Sequence, residues 1–253
     1  MGYNNEKCVK GGIFMLSLCN NWEFVPEWTD SFARGEGKGE AVRLPHTVKE
    51  IPLHYADHQS YQMICGYRKK LELRKELEGK KLFLQFDGAA HIATVYLNGK
   101  ELICHKTGYT AFRVDITEEA VLGGENLLAV RLDTRENPEV PPFGFVIDYL
   151  TYGGLYREVW LEVKGKSYIE DLYITTPSLT TLKIKPKLVE ADGCILLVEL
   201  LKGERQLEKK AFKPGGTITI ECPKVKPWVI CGIGVNCFIH LKPFGIVIIK
   251  MKR

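Results

Sequence analysis

Few residues in this chain have the types and spacing that chemistry requires. Six histidines (His46, His54, His58, His91, His105, His240) are scattered along it. The one close pair, His54 and His58, shares its stretch with Pro52 and Asp57 and reads as a loop, not as a helix face that could offer two imidazoles to one metal, so no metal site is expected. Eight cysteines include no C-x-x-C pair, and several sit in apolar runs where a thiol acts as a small buried hydrophobe; free thiols and a cytoplasmic location are expected. A nucleophile elbow, a phosphate-cradling Gly-rich loop, a dinucleotide fingerprint and a Ser/His/Asp arrangement are all missing, so no cofactor and no catalytic residue is assigned. Trp22, Trp28 and Trp160 could stack on sugar rings, but Trp22 and Trp160 lie in strand-like runs and are expected in the core. Asp87 and Asn98 read as turn residues, and Arg157 as an internal ion-pair or strand-face residue.

The elements that must position these residues are strands. Short alternating runs bounded by Gly, Pro, Asn and Asp recur through the first two-thirds, as in an antiparallel sandwich. Leu71 and Leu73 alternate with Glu72 and Arg74, and Leu82, Leu84 and Phe86 with Phe83 and Gln85. Ala93 to Leu97 runs into Asn98-Gly99, the strongest two-residue hairpin signal, with Lys100 to Ile103 returning. Further strands are predicted at Phe112 to Ile116, Leu127 to Leu132 and Arg157 to Val163, while Pro141-Pro142 keeps its stretch out of a sheet centre. The basic triplet Arg68-Lys69-Lys70 beside Leu71-Glu72-Leu73 reads as a solvated strand face, so no nucleic-acid partner is expected. Ile13 to Leu16 is far shorter than the ~18 apolar residues of a membrane helix and lacks a small-residue cleavage site, so neither membrane span nor signal peptide is read.

With 253 residues the chain has room for two units. Lys164-Gly165-Lys166 marks the boundary between a domain of residues 1–165 and a second of residues 166–253. The second offers strands at Tyr168 to Ile174, Thr181 to Leu188, Cys194 to Leu201 and Thr217 to Ile220, with a charged turn near Gly203-Glu204-Arg205, the spacing of a small immunoglobulin-like sandwich. From Cys222 onward there is no Asp or Glu, although the chain holds 31 of them. That end reads either as a last strand, Gly245 to Ile249, flanked by Lys, or as a translated wrong reading frame.

Six phrases stand in order: Val42-Arg43-Leu44-Pro45-His46-Thr47, Gly66-Tyr67-Arg68-Lys69, Phe86-Asp87-Gly88-Ala89, Ala93 to Gly99, Gly108-Tyr109-Thr110-Ala111-Phe112, and Asp148 to Val159 with Gly153-Gly154-Leu155-Tyr156-Arg157 at its centre. Together they resemble the N-terminal domain of glycoside hydrolase family 2, especially its β-galactosidase and β-glucuronidase members. The resemblance covers roughly residues 16 to 165 and continues more loosely beyond. It implies an all-β chain: a galactose-binding-like jelly-roll β-sandwich, then an immunoglobulin-like β-sandwich, atypical after Trp228, where Lys226-Pro227-Trp228 matches the family's turn but Val229 to Gly234 does not continue its strand.

In such enzymes a TIM barrel follows and carries both catalytic carboxylates. The barrel's signature phrases are missing from these residues, and Asn5-Glu6, in a polar tail, is a chance match to one of them. Retaining glycosidases need an acid/base and a nucleophile about 5 to 5.5 Å apart, so the chain alone is expected not to hydrolyse. The resemblance further implies a loop that reaches the sugar with an Asp, matched by Asp148; Tyr149 and Tyr152 could add ring faces. The implied partner is a carbohydrate of β-galactoside or β-glucuronide type, held weakly in isolation, with homo-oligomerisation left open. Two other readings stand beside the enzyme part: a self-standing lectin-like module, and a scaffold without sugar affinity.

Overall fold

The computed structural model describes residues 6–9, 13–50, 57–141, 153–178, 180–202, 205–221, 240–241 and 245–252. It divides into two compact units, residues 1–164 and 165–253. Among the described residues no helix is long and apolar enough to cross a membrane.

Among the described residues eleven strands build the first unit: β1 (Glu6–Val9), β2 (Ile13–Ser17), β3 (Trp22–Val25), β4 (Glu40–Val42), β5 (Ile64–Leu73), β6 (Lys81–Phe86), β7 (Ile92–Leu97), β8 (Lys100–His105), β9 (Phe112–Asp115), β10 (Gly124–Asp133) and β11 (Val159–Lys164). They form two antiparallel sheets, ordered β1-β2-β11-β6-β9 and β4-β3-β5-β10-β7-β8. The apolar sides of both sheets share one core, in which Leu82, Leu84 and Phe86 of β6 and Val159 and Leu161 of β11 meet Tyr67 and Leu71 of β5 and Val130 and Leu132 of β10. Ten residue pairs, Ile64↔Asp133 through Leu73↔Gly124, tie β5 to β10. The Asn98-Gly99 turn closes the β7–β8 hairpin with both residues at positive φ, 53° and 81°, as a type I′ turn demands. The apolar stretch from Ile13 is strand β2, with Phe14 and Leu16 packed against the core.

One reading of the basic triplet is corrected. Lys70 is exposed, but Arg68 is 6% exposed. Its guanidinium pairs with Glu23 and donates to the carbonyls of Phe32 (3.0 Å), Glu36 (2.9 Å) and Gly37 (3.0 Å), fastening the turn after a short helix, Asp30–Ala33, to the sheet. A fork of five N–H donors can serve four acceptors at once, and burial is tolerable because each is met.

The second unit has strands β12 (Tyr168–Thr175), β13 (Thr181–Val189), β14 (Ile195–Lys202), β15 (Arg205–Phe212), β16 (Ile218–Glu221), β17 (His240–Leu241) and β18 (Gly245–Lys252). Sheets ordered β12-β13-β16 and β15-β14-β18-β17 form a further β-sandwich whose core joins Leu182, Ile184, Ile218 and Ile220 of one sheet to Leu196, Val198 and Leu200 of the other. Strand β15 was not expected from the sequence. Arg205 starts it where a charged turn was read, and it lies at a sheet edge with mostly polar residues, so no apolar alternation marks it. The acid-free end contributes β18, which pairs with β14 from Ile195↔Lys252 to Leu201↔Ile246.

Candidate functional site

Asp148, Tyr149 and Tyr152, the residues matched to sugar contact, lie outside the described residues. The structure does describe the segment that immediately follows them. Gly153-Gly154-Leu155 is threaded between two other stretches of chain. On one side the amide of His46 donates to the carbonyl of Leu155 (2.9 Å), and that of Val48 to the carbonyl of Gly153 (3.0 Å). On the other, Gly154 and Ala90 exchange both backbone hydrogen bonds, at 3.0 and 3.1 Å.

The fit leaves no room for side chains. A Cβ on Gly154 would fall 2.4 Å from the His46 carbonyl oxygen and 3.2 Å from the Tyr67 hydroxyl, and one on Gly153 would fall 2.4 Å from Thr134 Cγ2. Gly154 also has φ +137°, which only glycine adopts readily. Both glycines are therefore required by space, and Gly154 by conformation as well.

Around this crossing the chain places an aromatic and hydroxyl cluster. Tyr67, fully buried on β5, has its hydroxyl 2.8 Å from His46 Nδ1, and Phe24 packs 5.0 Å from both rings. Burial pushes the Tyr67 phenol well above its ordinary range. It also pushes the His46 imidazole below its ordinary value, against the opposing pull of Glu40. Thr134 receives the amide of Met63 (3.1 Å) on its hydroxyl, which donates to the Tyr61 carbonyl. Asp133, at the end of β10, is gripped by Arg135 at 2.7 and 2.9 Å; against its own desolvation, these bonds hold the carboxyl below the usual range.

Beside them, His91 is 4% exposed with both ring nitrogens unpartnered, and the Tyr61 hydroxyl is buried likewise without a partner among the described residues. Desolvation lowers the His91 pKa, with the Thr134 backbone and Asp133 pulling the other way. On the rim, the Tyr156 hydroxyl donates to the Gly108 carbonyl (2.8 Å), Tyr109 meets Tyr156 edge-on at 6.2 Å, and the Arg157 guanidinium lies 5.2 Å from the Tyr156 ring.

Five of the six sequence phrases thus meet at one place, because His46, Tyr67, Gly88, Gly108 and Gly154 all touch the 153–157 stretch or lie on it. The sixth supplies the hairpin, where Asn98 Oδ1 accepts from the Leu127 amide (2.8 Å). Asp87 takes the indole N–H of Trp160 (2.9 Å) and its carbonyl accepts from Arg157, both internal contacts. Trp22 is core, at 1% exposure. Trp28 stacks on Tyr96 at 5.5 Å. His91, Tyr61 and Thr134 were not singled out as site residues from the sequence, since their role arises only from contacts across the fold.

Residues 52–140 match the family described as glycosyl hydrolase 2 galactose-binding domain-like. The chain is 39% identical over 169 residues to a β-galactosidase of Thermoanaerobacter pseudethanolicus, covering 65% of this chain and 23% of that protein. It is 33% identical over 180 residues to a β-glucuronidase of Bacteroides fragilis, covering 71% and 25% respectively. Among solved structures, a β-glucuronidase from an uncultured Clostridium sp. superposes with a TM-score of 0.72 at 21% identity, over 89% of this chain and 42% of that one, a likeness of fold. The chain spans about a quarter of the length of the curated relatives it matches. Over the matched residues the chain is thus similar to the N-terminal, galactose-binding-domain-like region of glycoside hydrolase 2 β-galactosidases and β-glucuronidases.

Proposed function

We propose that this chain is the non-catalytic part of a β-galactosidase-like or β-glucuronidase-like glycoside hydrolase, and that it shapes the sugar site of a catalytic barrel lying outside these 253 residues. The observation that carries the proposal is the clamp on Gly153-Gly154-Leu155. Four backbone hydrogen bonds and two side-chain-free positions fix the chain five residues after Asp148. A carboxylate on a segment anchored so close can be held where a sugar hydroxyl arrives, at little entropic cost on binding. Asp148 is the hydroxyl acceptor in this reading, and Tyr149 and Tyr152 offer ring faces to the pyranose.

In this reading it is the barrel that desolvates the carboxylate, and without it charge-assisted hydrogen bonds to sugar lose most of the ~1.5 to 3 kcal/mol they are worth when desolvated. Monosaccharide binding to the isolated chain is therefore weaker than about 1 mM, or only about 4 kcal/mol. Titration with galactose and with glucuronate, followed by NMR, tests this. Shifts that do not saturate below about 1 mM are expected; saturable micromolar binding would instead support a self-standing lectin-like module.

A further inference from the structure

The second unit presents a different surface. Residues 165–253 hold fifteen Lys and Arg against eight Asp and Glu, whereas residues 1–164 hold twenty against twenty-three, so the chain's positive charge is concentrated in the second unit. Part of that charge lies on the outward side of the β12-β13-β16 sheet. Along β13 the buried Leu182 and Ile184 alternate with exposed Lys183, Lys185 and Lys187. Strand geometry spaces these three at roughly 6.7 Å intervals in a straight row. Directly across from Lys185 stands Tyr173, 68% exposed, with Lys183 and Lys187 on its diagonals.

No ion pair to a described acid neutralises any of the three lysines. The two acids nearest on this face are Asp171, directly across from Lys187 in the strand register, and Glu221, on the diagonal of Lys183. Asp171 accepts from the Leu172 amide at 2.8 Å, and Glu221 accepts from the Thr181 hydroxyl at 3.0 Å. A row of unpaired like charges destabilises its own sheet slightly, and an exposed tyrosine beside it adds apolar area with no internal partner.

We infer that this face binds an anionic polysaccharide, a chain of uronic acid units lying along β13 with its carboxylates on Lys183, Lys185 and Lys187 and a pyranose C–H face on the Tyr173 ring. A single straight row suits an extended polymer. Ammonium groups are point charges that take a carboxylate from any approach, and no Arg stands among the described residues of this face. The aromatic ring supplies the hydrophobic half of sugar recognition. This site lies in the second unit and does not depend on Asp148.

Affinity electrophoresis of the full chain through gels containing polygalacturonate, with neutral galactan as control, tests the inference. Retardation by polygalacturonate alone is expected, strong at about 20 mM salt and much reduced at about 150 mM, because exposed charges are screened beyond ~8 Å there. The triple variant Lys183→Gln, Lys185→Gln, Lys187→Gln is expected to weaken retardation roughly tenfold, and Tyr173→Ala roughly threefold, with melting temperatures unchanged. A charge-matched control, Lys38→Gln, Lys49→Gln, Lys106→Gln, uses exposed lysines of the first unit and is expected to bind as the parent does. Equal loss in both triple variants would overturn the inference, as would no retardation of the parent, or tighter binding of single-stranded DNA than of polygalacturonate.

Discussion

Replacing Gly154 by Ala puts the clamp to a quantitative test. The new methyl would sit 2.4 Å from the His46 carbonyl oxygen and 3.0 Å from Thr47 Cα, both backbone atoms that cannot rotate away. Contact at normal van der Waals distance requires the 46–48 segment to move outward by about 1 Å. That displacement strains the bonds from His46 to Leu155 (2.9 Å) and from Val48 to Gly153 (3.0 Å), and the Ala90 pair on the other side blocks a shift the other way. Losing two buried backbone hydrogen bonds costs about 1 to 1.5 kcal/mol each, and holding a non-glycine residue at φ +137° adds about 1 to 2 kcal/mol.

The sum, about 3 to 5 kcal/mol, corresponds to a fall in melting temperature on the order of 10 °C for a domain of this size. Urea unfolding followed by Trp fluorescence, with Trp22 buried in the same core, reads the midpoint and slope separately. Gly99→Ala separates conformation from collision, since Gly99 has φ +81° but nothing within 4 Å of its Cβ position; its cost is expected near 1 kcal/mol. A Gly154→Ala loss no larger than that of Gly99→Ala would refute the reasoning.

Arg68→Met is expected to destabilise the first unit by about 3 to 5 kcal/mol, since it strands Glu23 and three backbone carbonyls; a loss under ~1 kcal/mol in the same urea assay would show the guanidinium to be dispensable. Buried His91 has a folded pKa below its unfolded one, so the unfolded chain takes up a proton first as pH falls. Stability is thus expected to be full above about pH 6.5 and to decline below it by up to about 1.4 kcal/mol per pH unit, with His46 adding in the same direction. In His91→Gln that slope is expected to shrink; an unchanged slope would assign the pH dependence elsewhere.

What was legible in the sequence was local. Asn98-Gly99 announces its hairpin because both turn conformations depend on those two residues alone. Leu82, Leu84 and Phe86 announce β6 because every second side chain enters one core. Strand β15 stayed hidden because an edge strand can be polar on both faces. Arg68 was misread because a triplet of cations says nothing of Glu23, which lies 45 residues away. At the candidate site, the ordered phrases were visible and their convergence was not. The bond from His46 to Leu155 and the bridge from Ala90 to Gly154 join segments distant in sequence, and His91 looks from the sequence like any isolated histidine.

On the proposed reading these residues frame a sugar site and leave the two carboxylates that hydrolysis requires to a barrel outside them. Incubating the purified 253-residue chain with chromogenic β-galactosides and β-glucuronides tests it most directly. Release of chromophore at the buffer rate is the expected result, because the proposed reading places both members of the carboxylate pair in a barrel outside these residues. Reproducible turnover that disappears when a single Asp or Glu of this chain is replaced by its amide would contradict it.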